Sequence, residues 1–263
     1  MIAQTFWRAL FAPLRRRARQ KRPRTPTGYR AYAVGDIHGR LDLLDMLIRK
    51  IELDLGASSP KKNLIVFLGD LIDRGPSSAQ VVERLRAYNH SNCDIAFLSG
   101  NHEEVFLRVL EGDIDLLERW LQFGGGECLA SYGLDPRSIE TLDGPQILRR
   151  AREVVPAEHI SFLRSFADTV TLGDYLFVHA GIKPGVNLKK QEPQDLRWIR
   201  KPFLEHEGKH FSFVVHGHTI SEEIDVRTNR IGIDTGAYRT GVLSALRLED
   251  ETQSIIQVRG RPA

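Results

Sequence analysis

Apolar runs of strand length, each closing on a short polar cluster rich in Gly, Asp and His, recur along this chain and leave few folds open to it. Five such clusters occur in order: Gly35-Asp36-Ile37-His38-Gly39, Gly69-Asp70-Leu71-Ile72-Asp73-Arg74-Gly75, Gly100-Asn101-His102-Glu103, His179-Ala180-Gly181 and His216-Gly217-His218-Thr219. Between the early clusters the period changes from strand to helix. Arg30 to Val34 is apolar and β-prone, and Leu41, Leu44, Leu47, Ile48, Ile51 and Leu55 then mark one face of a helix. Asn63 to Leu68 is a continuous apolar run, as in a strand buried on both faces. A helix from Ser77 to Tyr88, a strand from Asp94 to Leu98 and a helix from Glu103 to Leu110 complete a βαβαβα order. That order predicts a parallel sheet with right-handed crossovers, hence an α/β fold.

From about residue 112 to 170 the pattern turns helical and polar, with a break at Gly124-Gly125-Gly126 and no strong strand. This stretch reads as a helical cap insertion within one domain over residues 29–263. Strand signals return at Tyr175 to Val178, Phe211 to Val215, Arg230 to Ile233, Val242 to Leu248 and Ser254 to Val258, several of them suited to a second, mixed sheet. The triple glycine is not followed by a P-loop Lys-Ser/Thr, so it reads as a loop or close-packing device.

Ligands of open α/β sheets gather beyond the carboxyl ends of the strands, so five distant clusters can converge there. Their glycines permit tight turns and close backbone approach. Carboxylates mixed with imidazoles and an amide suit Mn²⁺, Fe or Zn²⁺ better than Mg²⁺ or Ca²⁺. Two such ions ~3.5–4 Å apart can hold a bridging hydroxide and neutralise phosphoryl oxygens during in-line displacement. The leaving oxygen then needs a proton donor beside it.

The motifs GDxHG, GDxxDRG and GNHE, followed by the later histidines, resemble those of the calcineurin-like metallophosphoesterases, and within them the small bacterial and phage phosphoprotein phosphatases. The resemblance covers roughly residues 30 to 248. It implies a four-layer α/β/β/α sandwich and two divalent metal ions, Mn first, with Fe or Zn as alternatives. It also implies that Asp36 and His38 hold one ion, that Asn101, His179 and His218 hold the other, and that Asp70 bridges them. By the same resemblance His102 is the general acid, oriented by Asp73, and Arg74 clamps the phosphate. Arg200 falls where small members carry a second phosphate-contacting arginine, with Arg197 as a substitute. Glu103 is expected to position loop groups or the clamp arginine. His216 reads as a residue supporting the site or as a ligand, with support favoured, and Asp234 as a turn or cap near the site. Arg239 is expected to influence substrate choice by its charge.

The resemblance points first to a serine/threonine protein phosphatase acting on a phosphoprotein or phosphopeptide. Symmetrical diadenosine tetraphosphate hydrolases commonly carry GNHD and lack the Asp of GDxxDRG, whereas this chain has Glu103 and Asp73. A bis(5'-nucleosyl)-tetraphosphatase is the alternative enzyme, and an inactive membrane- or nucleic-acid-binding module the alternative of another class. The intact ligand set argues against inactivity.

Composition adds an asymmetry. Residues 1–30 hold nine Lys or Arg and no acid, so the rest of a chain of net charge +3 is acidic. Phe6, Trp7, Leu10, Phe11 and Leu14 precede the basic run at near-helical spacing. A basic, flexible arm over residues 1–28 suits contact with an anionic membrane or an acidic partner, and suits a solvated tail equally. It does not specify a nucleic acid. Its composition lacks a secretory apolar stretch, although an Arg-rich, acid-poor leader also suits an organelle transit peptide. Cys93 and Cys128 lie in no ligand spacing, which fits a reducing compartment and a cytoplasmic location, peripheral at the membrane through the arm.

Overall fold

The computed structural model describes residues 22–57 and 62–262, so Phe6 to Leu14 and most of the basic arm lie outside the described residues. In chain order the strands are β1 (Tyr29–Val34), β2 (Lys62–Phe67), β3 (Cys93–Phe97), β4 (Thr169–Leu172), β5 (Tyr175–Val178), β6 (Phe213–His216), β7 (Asp225–Val226), β8 (Arg230–Gly232), β9 (Val242–Glu249) and β10 (Thr252–Arg259). The helices are α1 (Leu41–Gly56), α2 (Ser78–Arg86), α3 (Asn101–Glu111), α4 (Leu117–Trp120), α5 (Gly126–Ser131), α6 (Pro136–Thr141), α7 (Gly144–Val154), α8 (Ala157–Arg164), α9 (Pro193–Trp198), α10 (Lys201–Leu204) and α11 (Ala237–Thr240).

The strands form two sheets, ordered β10-β9-β1-β2-β3 and β4-β5-β6-β8-β7. β1, β2 and β3 pair in parallel, as the βαβαβα pattern predicts. The sheet does not end at β1: the β9–β10 hairpin adds antiparallel to its free edge. β9 can do so because both its faces are apolar. Leu243 and Ala245 join the helix-side core, and Leu246 and Leu248 join the layer between the sheets. The second sheet is mixed, and it includes β4, which begins inside the stretch that read as helical from sequence.

Side-chain alternation sorts the layers. Tyr32 and Val34 of β1 face the helices, while Ala31 and Ala33 face the second sheet. Those small residues leave room for Tyr175 and Phe177 of β5, both fully buried between the sheets. Burying a side chain such as Phe177 stabilises the fold by roughly 1.5–3 kcal/mol. The outer face of the second sheet, through Leu176, Val178 and Val214, packs on Leu196 of α9 and Phe203 of α10. The order is therefore helices, sheet, sheet, helices.

α1 buries Leu43, Leu44, Leu47, Ile48 and Ile51 as its spacing predicts. Residues 114–164 are a run of short helices joined by turns, and Leu117, Trp120, Leu129, Ile147 and Leu163 from them share one apolar cluster with α1 to α3. Residues 22–28 lie along the sheets: Pro23 O accepts a hydrogen bond from Tyr175 Oη, and Thr25 N donates to Asp250 O at 3.0 Å. No helix among the described residues is long and apolar enough to cross a membrane.

Candidate active site

The first three clusters are tied together by their backbones before any side chain is considered. Ile37 N and His38 N both donate to Asp70 O, at 3.1 and 2.9 Å, and Gly39 N donates to Leu71 O at 2.8 Å. Glu103, in the first turn of α3, collects the next donors. Its Oε1 accepts from Leu71 N at 2.8 Å, and its Oε2 from Asp70 N and Gly100 N, each at 2.9 Å. This carboxylate thus positions loop groups. Burial and the nearby Asp70 charge push its pKa up to about 7.

The cost of this arrangement shows in the backbone. Among the described residues, the non-glycines at positive φ are His38, Asp70, Asp73, Arg74, His218 and Asp250, and all but Asp250 belong to the clusters. Such conformations cost on the order of 1–3 kcal/mol each and persist only where surrounding structure enforces them.

Two groups of donor atoms converge, and Asp70 belongs to both. The ligand atoms of His38, Asp70 and His102 lie within 4.8 Å of one another, as do those of Asp70, His179 and His218. Asp70 Oδ2 faces His38 Nε2 at 3.7 Å, and its Oδ1 faces His179 Nε2 at 3.4 Å. His179 Nε2 also lies 3.0 Å from Asn101 Oδ1 and 3.2 Å from His218 Nδ1. Two ring orientations are fixed from behind: His38 Nδ1 donates to Ile72 O at 2.9 Å and His179 Nδ1 to Leu68 O at 2.8 Å. Each Nε2 is thereby aimed into the centre, in the way metal-ligating histidines are held. Asp36 is set slightly apart, its oxygens accepting from His218 N at 3.2 and 2.9 Å.

The electrostatics express a shortage of positive charge. Burial, reinforced by Asp234 and Asp70, raises Asp36 well above the usual carboxylate range. Burial would raise Asp70 too, but the imidazoles of His179, His102 and His38 hold it well below. Burial opposes charging His179, yet Asp70 raises it to about 10. Burial and the neighbouring His179 depress His218 to about 2. Acceptor atoms packed this closely around a shared carboxylate fit a pair of divalent cations.

Beside this centre, His102 Nδ1 donates to Asp73 Oδ2 at 2.6 Å, and Arg74 Nη2 donates to His102 Nε2 at 3.1 Å. Burial opposes a proton on His102, but Asp70 and Asp73 prevail and its pKa rises. A residue without any motif completes the pair: Trp120 Nε1 donates to the same Asp73 Oδ2 at 2.9 Å. Gly124 and Gly125 explain how α4 gets so close. A Cβ on Gly125 would lie 2.4 Å from the Trp120 ring, and one on Gly124 2.3 Å from Arg74 N. Gly124, at φ +104°, also accepts from Arg74 N through its carbonyl at 3.2 Å.

Arg74, His102 and Trp120 line a cleft of about 460 Å³ with Glu104, Arg108, Arg119, Phe123, Trp198, Arg200 and His218. Arg200 reaches it and donates to Thr219 Oγ1 at 3.2 Å. Arg197 does not: Asp168 and Glu104 engage its guanidinium at 2.7 and 3.2 Å. His216 turns away from the centre, onto Phe203 at 5.1 Å and Arg230 Nη1 at 3.2 Å. Asp234 caps Gly236 N at 2.8 Å and adds charge behind Asp36. Arg239 is exposed, while its neighbour Tyr238 packs edge-on against His38 and under the Arg74 guanidinium, 4.7 Å from its ring centroid.

Residues 29–237 match the calcineurin-like phosphoesterase family. The chain is 26% identical to the asymmetrical bis(5'-nucleosyl)-tetraphosphatase PrpE of Bacillus velezensis, over 84% of this chain and 90% of that one. It is also 26% identical to serine/threonine-protein phosphatase 2 of Escherichia coli, over 83% of this chain and 92% of that one. Its fold is similar to a crystal structure described as a candidate diadenosine tetraphosphatase, with a TM-score of 0.63 and 20% identity over 91% of this chain and 97% of that one.

Proposed function

The chain belongs to the calcineurin-like phosphoesterase family, and from that premise we propose that it hydrolyses dinucleoside polyphosphates of the diadenosine tetraphosphate type. The observation that carries this reading is a surplus of cationic groups in the cleft. Arg74, Arg119 and Arg200 line it, and among the described residues none of the three pairs with a carboxylate. A phosphomonoester offers one phosphate, which a single guanidinium can grip with two hydrogen bonds. Three unpaired guanidiniums suit a chain of phosphates. The tetraphosphatase named among the relatives supports the same substrate class.

In this reading Asp36, His38, Asp70, Asn101, His179 and His218 would hold two divalent ions, with Asp70 common to both. Bound ions of this kind supply Lewis acidity that neutralises phosphoryl oxygens and activates water. The remaining work falls to the chain's own side chains. Arg74 and Arg200 orient the phosphate that is attacked. His102 Nε2 gives its proton to the departing phosphate oxygen, and Asp73, fixed by Trp120, holds the ring so that Nε2 points outward. Arg74 loses its contact with Nε2 as that atom becomes protonated, which frees the guanidinium for substrate.

A second reading, a serine/threonine protein phosphatase, is favoured by Asp73 in the GDxxDRG motif and Glu103 in GNHE, and by the Escherichia coli relative. The test is Mn²⁺-dependent turnover of diadenosine tetraphosphate against phosphoserine and phosphothreonine peptides. The nucleotide products, separated chromatographically, also tell symmetrical from asymmetrical cleavage. Turnover of the peptides alone would overturn the dinucleotide reading.

A further inference from the structure

Resting on the dinucleotide reading, we propose that Phe123, backed by Arg119, is the stacking platform for a nucleobase of the substrate. Isolated exposed apolar side chains need no explanation. Phe123 differs in its place. Of the large hydrophobics that are exposed among the described residues (Met46, Leu53, Ile114, Phe123, Phe211, Val226 and Ile255), only Phe123 lines the cleft, with half of its surface open.

The backbone puts it there at some cost. In a regular helix, Trp120, Phe123 and Gly124 would share one face, at spacings of three and four residues. Trp120 is buried, so Phe123 would be buried beside it. Instead the chain kinks between α4 and α5, where Phe123 (φ −101°, ψ 18°) and Gly124 (φ 104°, ψ 10°) leave helical geometry. The kink leaves the Phe123 ring in the cleft with half of its surface open.

The ring is then held in register with the chemistry. Gly124, the next residue, accepts the hydrogen bond from Arg74 N at 3.2 Å, so the platform is one residue from an anchor on the phosphate clamp. The Arg119 guanidinium lies 5.9 Å from the Phe123 ring centroid, leaving the other ring face for a base. Base–aromatic stacking is tolerant of base identity, and a cation over the ring adds to it. The chemical class implied is a nucleoside 5'-phosphate unit, with any of several bases.

The full-length, Mn²⁺-loaded protein supplies the test. Phe123→Ala should raise the KM for diadenosine tetraphosphate about tenfold relative to that for glycerol 2-phosphate, which is ~1.4 kcal/mol and within the range of a base–aromatic stack. Phe123→Trp should restore it. A second measurement does not depend on which bond is cut: inhibition by adenosine 5'-monophosphate compared with inorganic phosphate. Wild type should prefer the nucleotide, and Phe123→Ala should lose about that same factor of preference. If wild type shows no such preference, or the variant keeps it, the platform is wrong. If wild type leaves the dinucleotide uncleaved yet Phe123→Ala still abolishes the preference, the platform stands and the substrate assignment falls.

Discussion

Replacing Trp120 by Phe removes one N–H from the heart of the site and leaves an aromatic ring against Phe106. The indole N–H is one of two donors on Asp73 Oδ2, at 2.9 Å, and His102 Nδ1 is the other, at 2.6 Å. Asp73 is fully buried, so water does not replace the lost donor. A hydrogen bond to a buried charged group is worth about 1.5–3 kcal/mol. The carboxylate's unmet demand falls on its remaining partner, so His102 binds its proton more tightly. Its pKa, raised against burial by Asp70 and Asp73 in the cation-free centre, should rise further through the Asp73 contact. If ~1.4 kcal/mol of the loss passes to His102, the rise is about one unit. A general acid works protonated, and its activity is lost as pH climbs through its pKa. The alkaline limb of kcat should therefore move up by about one unit. The acid is also weaker, so the plateau should fall, by up to about tenfold for an alkyl phosphate and less for p-nitrophenyl phosphate, whose leaving group needs little protonation. The assay is kcat against pH for both substrates at saturating Mn²⁺, with thermal unfolding measured alongside. An unmoved alkaline limb with equal losses on both substrates would mean that Trp120 only fills space.

Three further outcomes are expected. His102→Asn should keep its bound metal but lower kcat by 10²-fold or more on an alkyl phosphate, and near-normal turnover of that substrate would reject the acid role. Asp70→Asn should lower occupancy of both proposed metal positions together, since the carboxylate faces His38 on one side and His179 on the other, and full two-metal occupancy by elemental analysis would contradict this. Gly125→Ala places a carbon 2.4 Å from the Trp120 ring and should cost about 1–3 kcal/mol of stability by overpacking, read as a lower denaturant midpoint.

The parts legible in the sequence were those governed by local period and local turn chemistry. β1 to β3, α1 to α3 and the convergence of the clusters follow from alternation and from the rule that ligands gather at carboxyl strand ends. Strand alternation also separates two histidines that the motif leaves ambiguous. Phe213 and Val215 of β6 point between the sheets, so His216 points outward with Val214, onto α10, while His218 lies past the strand end and turns back at φ 63°. Other assignments depended on partners distant in sequence. Arg197 and Arg200 are alike as residues, and only Asp168 and Glu104 decide that the first is occupied. Trp120 reads as a core aromatic on a short helix; its bond to Asp73 spans 47 residues. Phe123 and Tyr238 carry no spacing signal at all. The substrate preference drawn from Asp73 and Glu103 rests on residues that hold other groups in place, Asp73 the His102 ring and Glu103 the loop amides, whereas the proposed dinucleotide reading rests on the arginines that line the cleft.

The left-handed conformations of His38, Asp70, Asp73, Arg74 and His218 carry a thermodynamic consequence. Those residues oppose the very geometry they are needed for. Cations that bind the assembled centre and not the open chain act as folding ligands, adding about 2.7 kcal/mol of stability at a concentration one hundred times their dissociation constant. With such cations the protein would have no single melting temperature. Its midpoint should climb with free Mn²⁺, making heat resistance a readout of how fully the catalytic centre is loaded.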